Sequence, residues 1–461
     1  MPEQISAVDR AWLMMDRPTN PMMIVGLIVL RDRLRLSSLR RLIAERFLRF
    51  DRFRSVPVRD EAGARWVPVE DFDLGDHVLR VALPDPAGRR ELEALAGELA
   101  SAPLNPGRPL WSFHLVDKYD GGSALIVRIH HCYADGIALL QVLLRLADPA
   151  PGAAPPEGGG LPSTFPAAGG LLERLLGQLA HGADLVEKGV HYALHPLEAA
   201  GAARGALGLA GELAQLGVLL RDDPPTRLKR PLSGVKRIAW AEPLALEEVR
   251  TVGRLLGCTV NDVLVATLAG ALGRYLDSVG DHTAGLTLRA AVPVNLRPAD
   301  ATPRELGNRF GLVFVELPIG IRHPLERLYA VHAAMQALKG SSQALVTLGL
   351  LSIIGSLPAV IEEQAIALFS AKASLVASNL RGPPEPLRLA GVPVTQLLFW
   401  VPQAGSIGTG VSMLTYLDAV HFGVMADRQL IPDPEQLVRM IRTEFDRLVF
   451  LILLGAGSLL D

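Results

Sequence analysis

Two apolar runs, residues 22–30 and 124–129, have the length of strands, and the second is rich in β-branched side chains, the pattern of a buried strand. The stretch that follows the second, residues 137–146, is apolar on most faces and predicts a buried helix. Between 38 and 50 the pattern is one-sided. Ser38 is placed to cap a helix with Leu39, Leu42, Ile43, Phe47 and Phe50 on one face and Arg40, Arg41, Glu45 and Arg49 on the other. Further along, residues 247–256, 260–276 and 325–339 carry helical periodicity, whereas 236–240, 286–294, 312–317 and 421–425 read as extended. The mixture of α and β lacks the strict alternation of a doubly wound nucleotide fold.

Two breaks divide this pattern. Residues 148–170 are crowded with Pro, Gly and Ala, a composition that sustains neither helix nor sheet and predicts a flexible linker. Leucines recur at helical intervals through 171–220, interrupted by Gly182, Gly189, Gly201, Gly205, Gly208, Gly211 and Gly217 and by Pro196, which predicts glycine-weakened amphipathic helices. A second break at Asp222-Asp223-Pro224-Pro225 precedes the 236–240 strand. The resulting division is an N-terminal domain over 1–148, a linker with amphipathic helices over 149–232, and a C-terminal domain over 233–461. Residues 344–360 are almost uncharged, but Pro358 and Glu362-Glu363 cut the stretch short of the ~20 apolar residues that span a bilayer, so it reads as a buried or interfacial helix pair. The apolar tail 448–460 is likewise too short, and with 171–220 these stretches suit a protein that lies on lipid rather than crossing it.

With 461 residues, 49% of them hydrophobic and 20% charged, the chain has material for more than one core. Its two cysteines, Cys132 and Cys258, support neither a disulfide framework nor a zinc ligand set, and Glu3, Asp9 and Asp16 interrupt any secretory signal, so the expected compartment is the cytosol. A net charge of −2 argues against nucleic acid as a partner. The charge is uneven, because residues 31–59 hold ten arginines against Asp32, Glu45 and Asp51. That basic stretch is either a solvated helix face or a surface for anionic lipid or for the phosphates of a nucleotide-like acyl carrier.

The chemistry concentrates in His130-His131-Cys132-Tyr133-Ala134-Asp135-Gly136, where a buried strand ends in two histidines and a short loop leads into the apolar helix. Neighbouring strand residues face opposite ways, so unless the strand has already ended the two histidines cannot both line one cavity, and one is expected to be chemical and the other structural. Asp135 is placed either to cap the helix or to pair with a buried cation. Asn261 and Asp262, just ahead of an apolar run, are expected to cap and fix a helix. Ser378 and Asn379, before the turn-forming Gly382-Pro383-Pro384, are either oxyanion donors or turn residues. The sequence carries no Gly-x-Ser-x-Gly elbow, His-Glu-x-x-His pair or Gly-x-x-x-x-Gly-Lys loop.

His-His-x-x-x-Asp-Gly does not stand alone. Ser6-Ala7-Val8-Asp9 and Pro18-Thr19-Asn20-Pro21-Met22 lie upstream, with Pro109-Leu110-Trp111 before the histidine strand. Asn261-Asp262-Val263-Leu264-Val265-Ala266, Pro293-Val294-Asn295-Leu296-Arg297, Gly307-Asn308-Arg309-Phe310-Gly311 and Ser378-Asn379 with Gly382-Pro383-Pro384-Glu385-Pro386 follow downstream. In this order and over nearly the whole chain, the set resembles the bacterial wax ester synthase/diacylglycerol acyltransferase family, a branch of the CoA-dependent acyltransferase and condensation-domain superfamily.

The resemblance implies two CoA-dependent acyltransferase-like domains, each a mixed sheet flanked by helices, with a tunnel at their interface. It implies acyl-CoA as co-substrate, no separate cofactor and no metal. The acceptor would be diacylglycerol or a long-chain alcohol, giving triacylglycerol or wax ester, at the inner face of a membrane or at a lipid inclusion. Alternative readings are a superfamily transferase acting on another hydroxyl or amine, and a non-catalytic lipid-binding or droplet-surface protein. By carry-over, His131 is the general base, His130 supports it, Asp135 forms a structural ion pair with Arg297 as its first candidate partner, and Gly136 admits close backbone approach. Trp111 is expected in packing or in an acyl channel wall. Cys132 reads as a core thiol rather than a nucleophile. The chain departs from the family at Met23, where members often carry histidine, and the linker over 148–170 matches no family motif.

Overall fold

The computed structural model describes residues 3–60, 63–148, 221–295, 308, 310–339, 347 and 359–457. Two mixed sheets form the frame, each covered by helices, as the fold class implied. The first has six strands in the order Arg388–Leu389, Val392–Trp400, Met23–Leu30, Gly122–His130, Trp111–Tyr119 and Val78–Val81. All its pairings are antiparallel except the last, where Val78–Val81 runs parallel to Trp111–Tyr119. The second runs Phe310–Leu317, Leu288–Asn295, Leu375–Arg381, Thr409–Tyr416, Ala419–Asp427 and Lys236–Trp240, with Leu375–Arg381 parallel to both neighbours.

Met23–Leu30 and Gly122–His130 are buried at every position, which explains their unbroken apolar pattern: both faces of the first sheet are covered. On one face lie the helices Ala7–Met15, Leu36–Leu42 and Gly136–Leu146, with Ile24, Ile28, Val127 and Ile129 turned toward them. On the other, Val25, Leu27 and Val29 meet Leu92 and Ala96 of the Arg89–Ser101 helix together with Ile238, Trp240 and Met425 of the second sheet. The two halves therefore share a core. The second sheet packs its own apolar face on Val260–Ser278, Pro324–Lys339 and Pro434–Gly457, where Arg327 and Glu444 form a buried ion pair.

The strands and helices expected at 124–129, 137–146, 236–240, 247–256, 260–276, 286–294, 312–317, 325–339 and 421–425 are all present, most a residue or two longer than their apolar cores. Two features differ from expectation. The helix expected to start at Ser38 begins at Leu36 with Arg35 before it, making no side-chain cap, and passes into a π-helical turn at Ile43–Phe47. More consequentially, Val392–Trp400 from the C-terminal half pairs with Met23–Leu30 in the first sheet, so sheet membership does not follow chain order. The 149–220 segment, Arg297 and all of 344–360 except Thr347 and 359–360 lie outside the described residues.

Among the described residues no single helix is long and apolar enough to cross a membrane. Leu246–Leu255 and Val260–Ser278 would qualify only as a pair bent by 100°, and the second is a core helix buried along most of its length.

Candidate active site

The Gly122–His130 strand ends one residue short of His131, which frees that side chain from strand alternation. The His131 amide donates to the Met22 carbonyl at 2.8 Å, which anchors the turn to the neighbouring strand. Tyr133 holds the next residues down: its hydroxyl donates to Ser55 O at 2.8 Å and accepts from the Leu110 amide at 2.9 Å, and its ring stacks on Phe53. A buried, doubly satisfied tyrosine is a rigid peg beneath the histidine loop.

The paired histidines part company. His130 turns toward Asp16, 3.8 Å away, and its Nδ1 accepts from the Cys132 amide at 3.2 Å. His131 turns into the space between the sheets, stacked on Trp12 with ring centroids 4.3 Å apart and with Phe310 beyond. Its Nδ1 has no hydrogen-bond partner among the described residues. Burial pushes its pKa down to about 4, partly opposed by the charge of Asp135, so at neutral pH the ring is uncharged and able to accept a proton.

The cavity that His131 enters encloses about 1170 Å³ when its opening to solvent is counted. Trp12, His131 and Asp135 line it from the first domain; Pro293, Phe310, Val376, Ser378 and Leu380 line it from the second. Most of the lining is apolar. Asp135 is buried on this wall, at the start of Gly136–Leu146.

Strand alternation separates the two residues considered as oxyanion donors. Val376, Ser378 and Leu380 share the face toward His131, whereas Asn379 points the opposite way and donates to Asn261 Oδ1 at 2.6 Å. Ser378 therefore reaches the cavity and Asn379 does not. Trp111 also lies elsewhere: its Nε1 donates to Phe53 O, its ring stacks on His77, and it belongs to the first-domain core rather than to the cavity wall. Asp262 takes part in the cap of Val260–Ser278, accepting from the Thr259 amide at 2.8 Å while Thr259 Oγ1 accepts from the Asp262 amide. Asp262 Oδ2 also bonds His332 Nδ1 at 2.7 Å. Ligand atoms of Cys258, Asp262 and His332 lie within 4.8 Å of one another, but this carboxylate is already committed to cap and histidine, and burial pushes the Cys258 thiol up. Cys132 is fully buried with its pKa well above the ordinary range, so its nucleophilic thiolate is suppressed.

Three residues central to the site were not assigned by sequence reasoning. Asp9, in a motif noted only for its resemblance, is almost fully buried and accepts from both the amide (3.0 Å) and the side-chain Nδ2 (2.7 Å) of Asn308. Asn308 Nδ2 also donates to the His131 carbonyl at 2.9 Å. Arg52 closes the set, 3.6 Å from Asp9 and donating to the Tyr133 carbonyl at 3.0 Å. Burial raises the pKa of Asp9, while the Asn308 bonds and Arg52 act against that rise. The signal available in sequence was a polar Asp9 amid Val8, Ala11 and Trp12, all buried on one helix. Arg52 also belongs to the basic 31–59 stretch. With Arg40, which donates to Val78 O, and Arg46, which caps Leu146 O and Ala147 O, it faces inward; the other seven arginines are exposed.

Two sheets meeting around a neutral imidazole in a mostly apolar cavity make up the two-domain fold of CoA-dependent acyltransferases. The model of the wax ester synthase/diacylglycerol acyltransferase catalytic domain matches residues 5–264, and that of the family's C-terminal domain matches 306–449. A probable diacylglycerol O-acyltransferase of Mycobacterium tuberculosis is 32% identical over 403 residues, covering 85% of this chain and 82% of the relative. Among solved structures, the wax ester synthase/diacylglycerol acyltransferase from Marinobacter aquaeolei VT8 superposes with a TM-score of 0.68 at 21% identity, covering 99% of this chain and 100% of that one. The first condensation domain of the calcium-dependent antibiotic synthetase gives 0.59 at 14% identity, covering 97% and 96%. The chain belongs to the wax ester synthase/diacylglycerol acyltransferase family, whose members are acyl-CoA-dependent acyltransferases.

Proposed function

We propose that this acyltransferase joins the acyl group of an acyl-CoA to the hydroxyl of diacylglycerol or a long-chain alcohol, with His131 as the base. The observation that carries this reading is the placement of His131, a neutral imidazole on an otherwise mostly apolar wall. An aliphatic hydroxyl is hardly acidic, so its proton must leave as the oxygen attacks the thioester carbonyl, and an uncharged imidazole accepts it. As the tetrahedral intermediate collapses, the C–S bond breaks and the imidazolium returns the proton to the departing CoA sulfur. Ser378 Oγ is the candidate donor to the oxyanion. Exclusion of water by the apolar lining favours transfer to the alcohol over hydrolysis. His130, Asp135 and Gly136 are assigned to holding the loop, Asn261 and Asp262 to the start of a core helix, and Arg297 remains the first candidate partner for Asp135.

In the same reading, residues 1–148 carry one lobe, whose sheet Arg388–Leu389 and Val392–Trp400 complete, the rest of 233–461 carries the other, and 149–232 lies between them in the chain. The seven exposed arginines of 31–59 and the exposed Phe450, Leu453 and Leu454 near the end of Pro434–Gly457 support peripheral contact with an anionic lipid surface.

The test is purified protein with labelled acyl-CoA and a panel of diacylglycerol, long-chain alcohols and amines. Ester formation supports the reading; amide formation alone moves the acceptor class, and no transfer to any acceptor leaves a lipid-binding protein. Initial-rate kinetics should be sequential, because one imidazole serves both proton transfers and no thiol is activated. Parallel double-reciprocal lines would point to a covalent acyl-enzyme instead. The pH profile follows from His131: the deprotonated form is active, and kcat/KM reports the free enzyme. Activity should hold as pH falls from 8 through ~6.5, where an ordinary histidine titrates, and drop only toward about 4. An acid limb centred on the ordinary histidine value contradicts the assignment.

A further inference from the structure

A second cavity, enclosing about 720 Å³ when its opening to solvent is counted, lies between the first sheet and the Gly136–Leu146 helix. Among the described residues no polar or charged side chain lines it. From the sheet side the lining includes Ile24, Gly26 and Ile28, alternate residues on one face of the central strand; from the helix side it includes Leu140 and Leu143.

The void has an identifiable source in the sequence. Gly26 sits in the middle of a strand that is otherwise Met, Ile, Val and Leu, where glycine weakens the strand and leaves nothing to pack. Close backbone approach does not demand it: a Cβ on Gly26 would meet Val127 Cβ at 3.7 Å and the Leu398 carbonyl at 3.8 Å, which is ordinary contact. The missing side chain instead leaves room inside the core. Unfilled apolar space costs stability and stays dry, which is the setting that takes up an apolar ligand.

This space also communicates with the chemistry. Leu380, two residues along from Ser378 on the same strand face, lines both cavities. The helix that walls the second cavity begins directly after Asp135, which walls the first.

We propose that the second cavity receives the distal part of a long alkyl chain whose reacting end lies at His131, with Gly26 setting the depth available and Leu380 standing where the chain passes. The proposal rests on the acyl-transfer reading for what happens at the reacting end, and on the cavity alone for chain recognition. The chain is either that of the acyl donor or that of the lipid acceptor, both being saturated hydrocarbon.

The test is Gly26→Leu, which fills the void from the sheet side, with Leu143→Phe filling it from the helix side should the first variant not fold. One arm compares kcat/KM for palmitoyl-CoA and octanoyl-CoA at fixed acceptor. A second compares hexadecanol and octanol at fixed donor. A third measures binding of the non-reacting thioethers hexadecyl-CoA and octyl-CoA. The long-to-short ratio is expected to fall about tenfold or more in the donor arm and the thioether arm together, or in the acceptor arm alone, and which it is identifies the chain. A folded variant with every ratio unchanged, or one that loses long and short substrates equally, overturns the proposal. Should the unmodified protein transfer acyl groups to no acceptor, the acyl-transfer reading falls. The thioether arm then decides the donor form of the proposal, and direct binding of hexadecanol against octanol decides the acceptor form: loss of the long-chain preference in the variant in either supports the cavity, and an unchanged preference in both overturns it.

Discussion

His131→Gln is expected to lower kcat by about two to four orders of magnitude, the usual contribution of a positioned base, while acyl-CoA binding changes little. Glutamine fills similar space against Trp12, so the stack and the turn pinned by Met22 are retained. An amide cannot take a proton from a hydroxyl at neutral pH. The informative comparison is kcat against the affinity for a non-reacting acyl-CoA analogue, with circular dichroism to show that the variant is folded. A folded variant with kcat within a few-fold of the parent would remove His131 from the chemistry.

The second large effect is structural. Asp9→Ala is expected to destabilise the protein by roughly 3 kcal/mol, the lower end of the range for breaking a buried ion pair. Asp9 is the buried acceptor for two Asn308 donors and lies beside Arg52, whose own side chain is only 11% exposed. Arg52 keeps Glu3 and the Tyr133 carbonyl as partners, which places the loss at the low end. Activity should fall as well, because Asn308 is released from the His131 carbonyl. Asp9→Asn retains an acceptor and should lose less. Equilibrium urea unfolding of the three proteins decides it, and an Asp9→Ala protein as stable as the parent would show that the clasp contributes nothing.

What was legible in the sequence divides along a physical line. Strands and helices announced themselves through local periodicity; the His130–His131 divergence was expected from strand alternation, but the strand ends at His130 and the turn held by the Met22 carbonyl carries it instead. Ser378 and Asn379 could have been separated by the same rule of alternation; considering them as a pair overlooked it. Other contacts left no local trace. The Asp9–Asn308 clasp and the pairing of Val25 with Trp400 join residues hundreds of positions apart, and nothing in either segment's own pattern names its partner. The basic 31–59 stretch shows the converse. A charge count treats ten arginines alike, but Arg40, Arg46 and Arg52 serve backbone carbonyls or a buried carboxylate, and only burial distinguishes them from the rest.

The strand Val392–Trp400 has a consequence for how the protein is made. Until it emerges from the ribosome, the Met23–Leu30 strand, apolar from end to end, has no neighbour on one side. At roughly 5–20 residues per second, that edge waits on the order of tens of seconds for its partner. An open, flat, hydrophobic strand edge is a template for pairing with another chain. The nascent N-terminal half is thus a natural client for a chaperone that shields apolar strands, and a chain truncated before residue 392 would be expected to collect in insoluble material rather than to accumulate as a folded half.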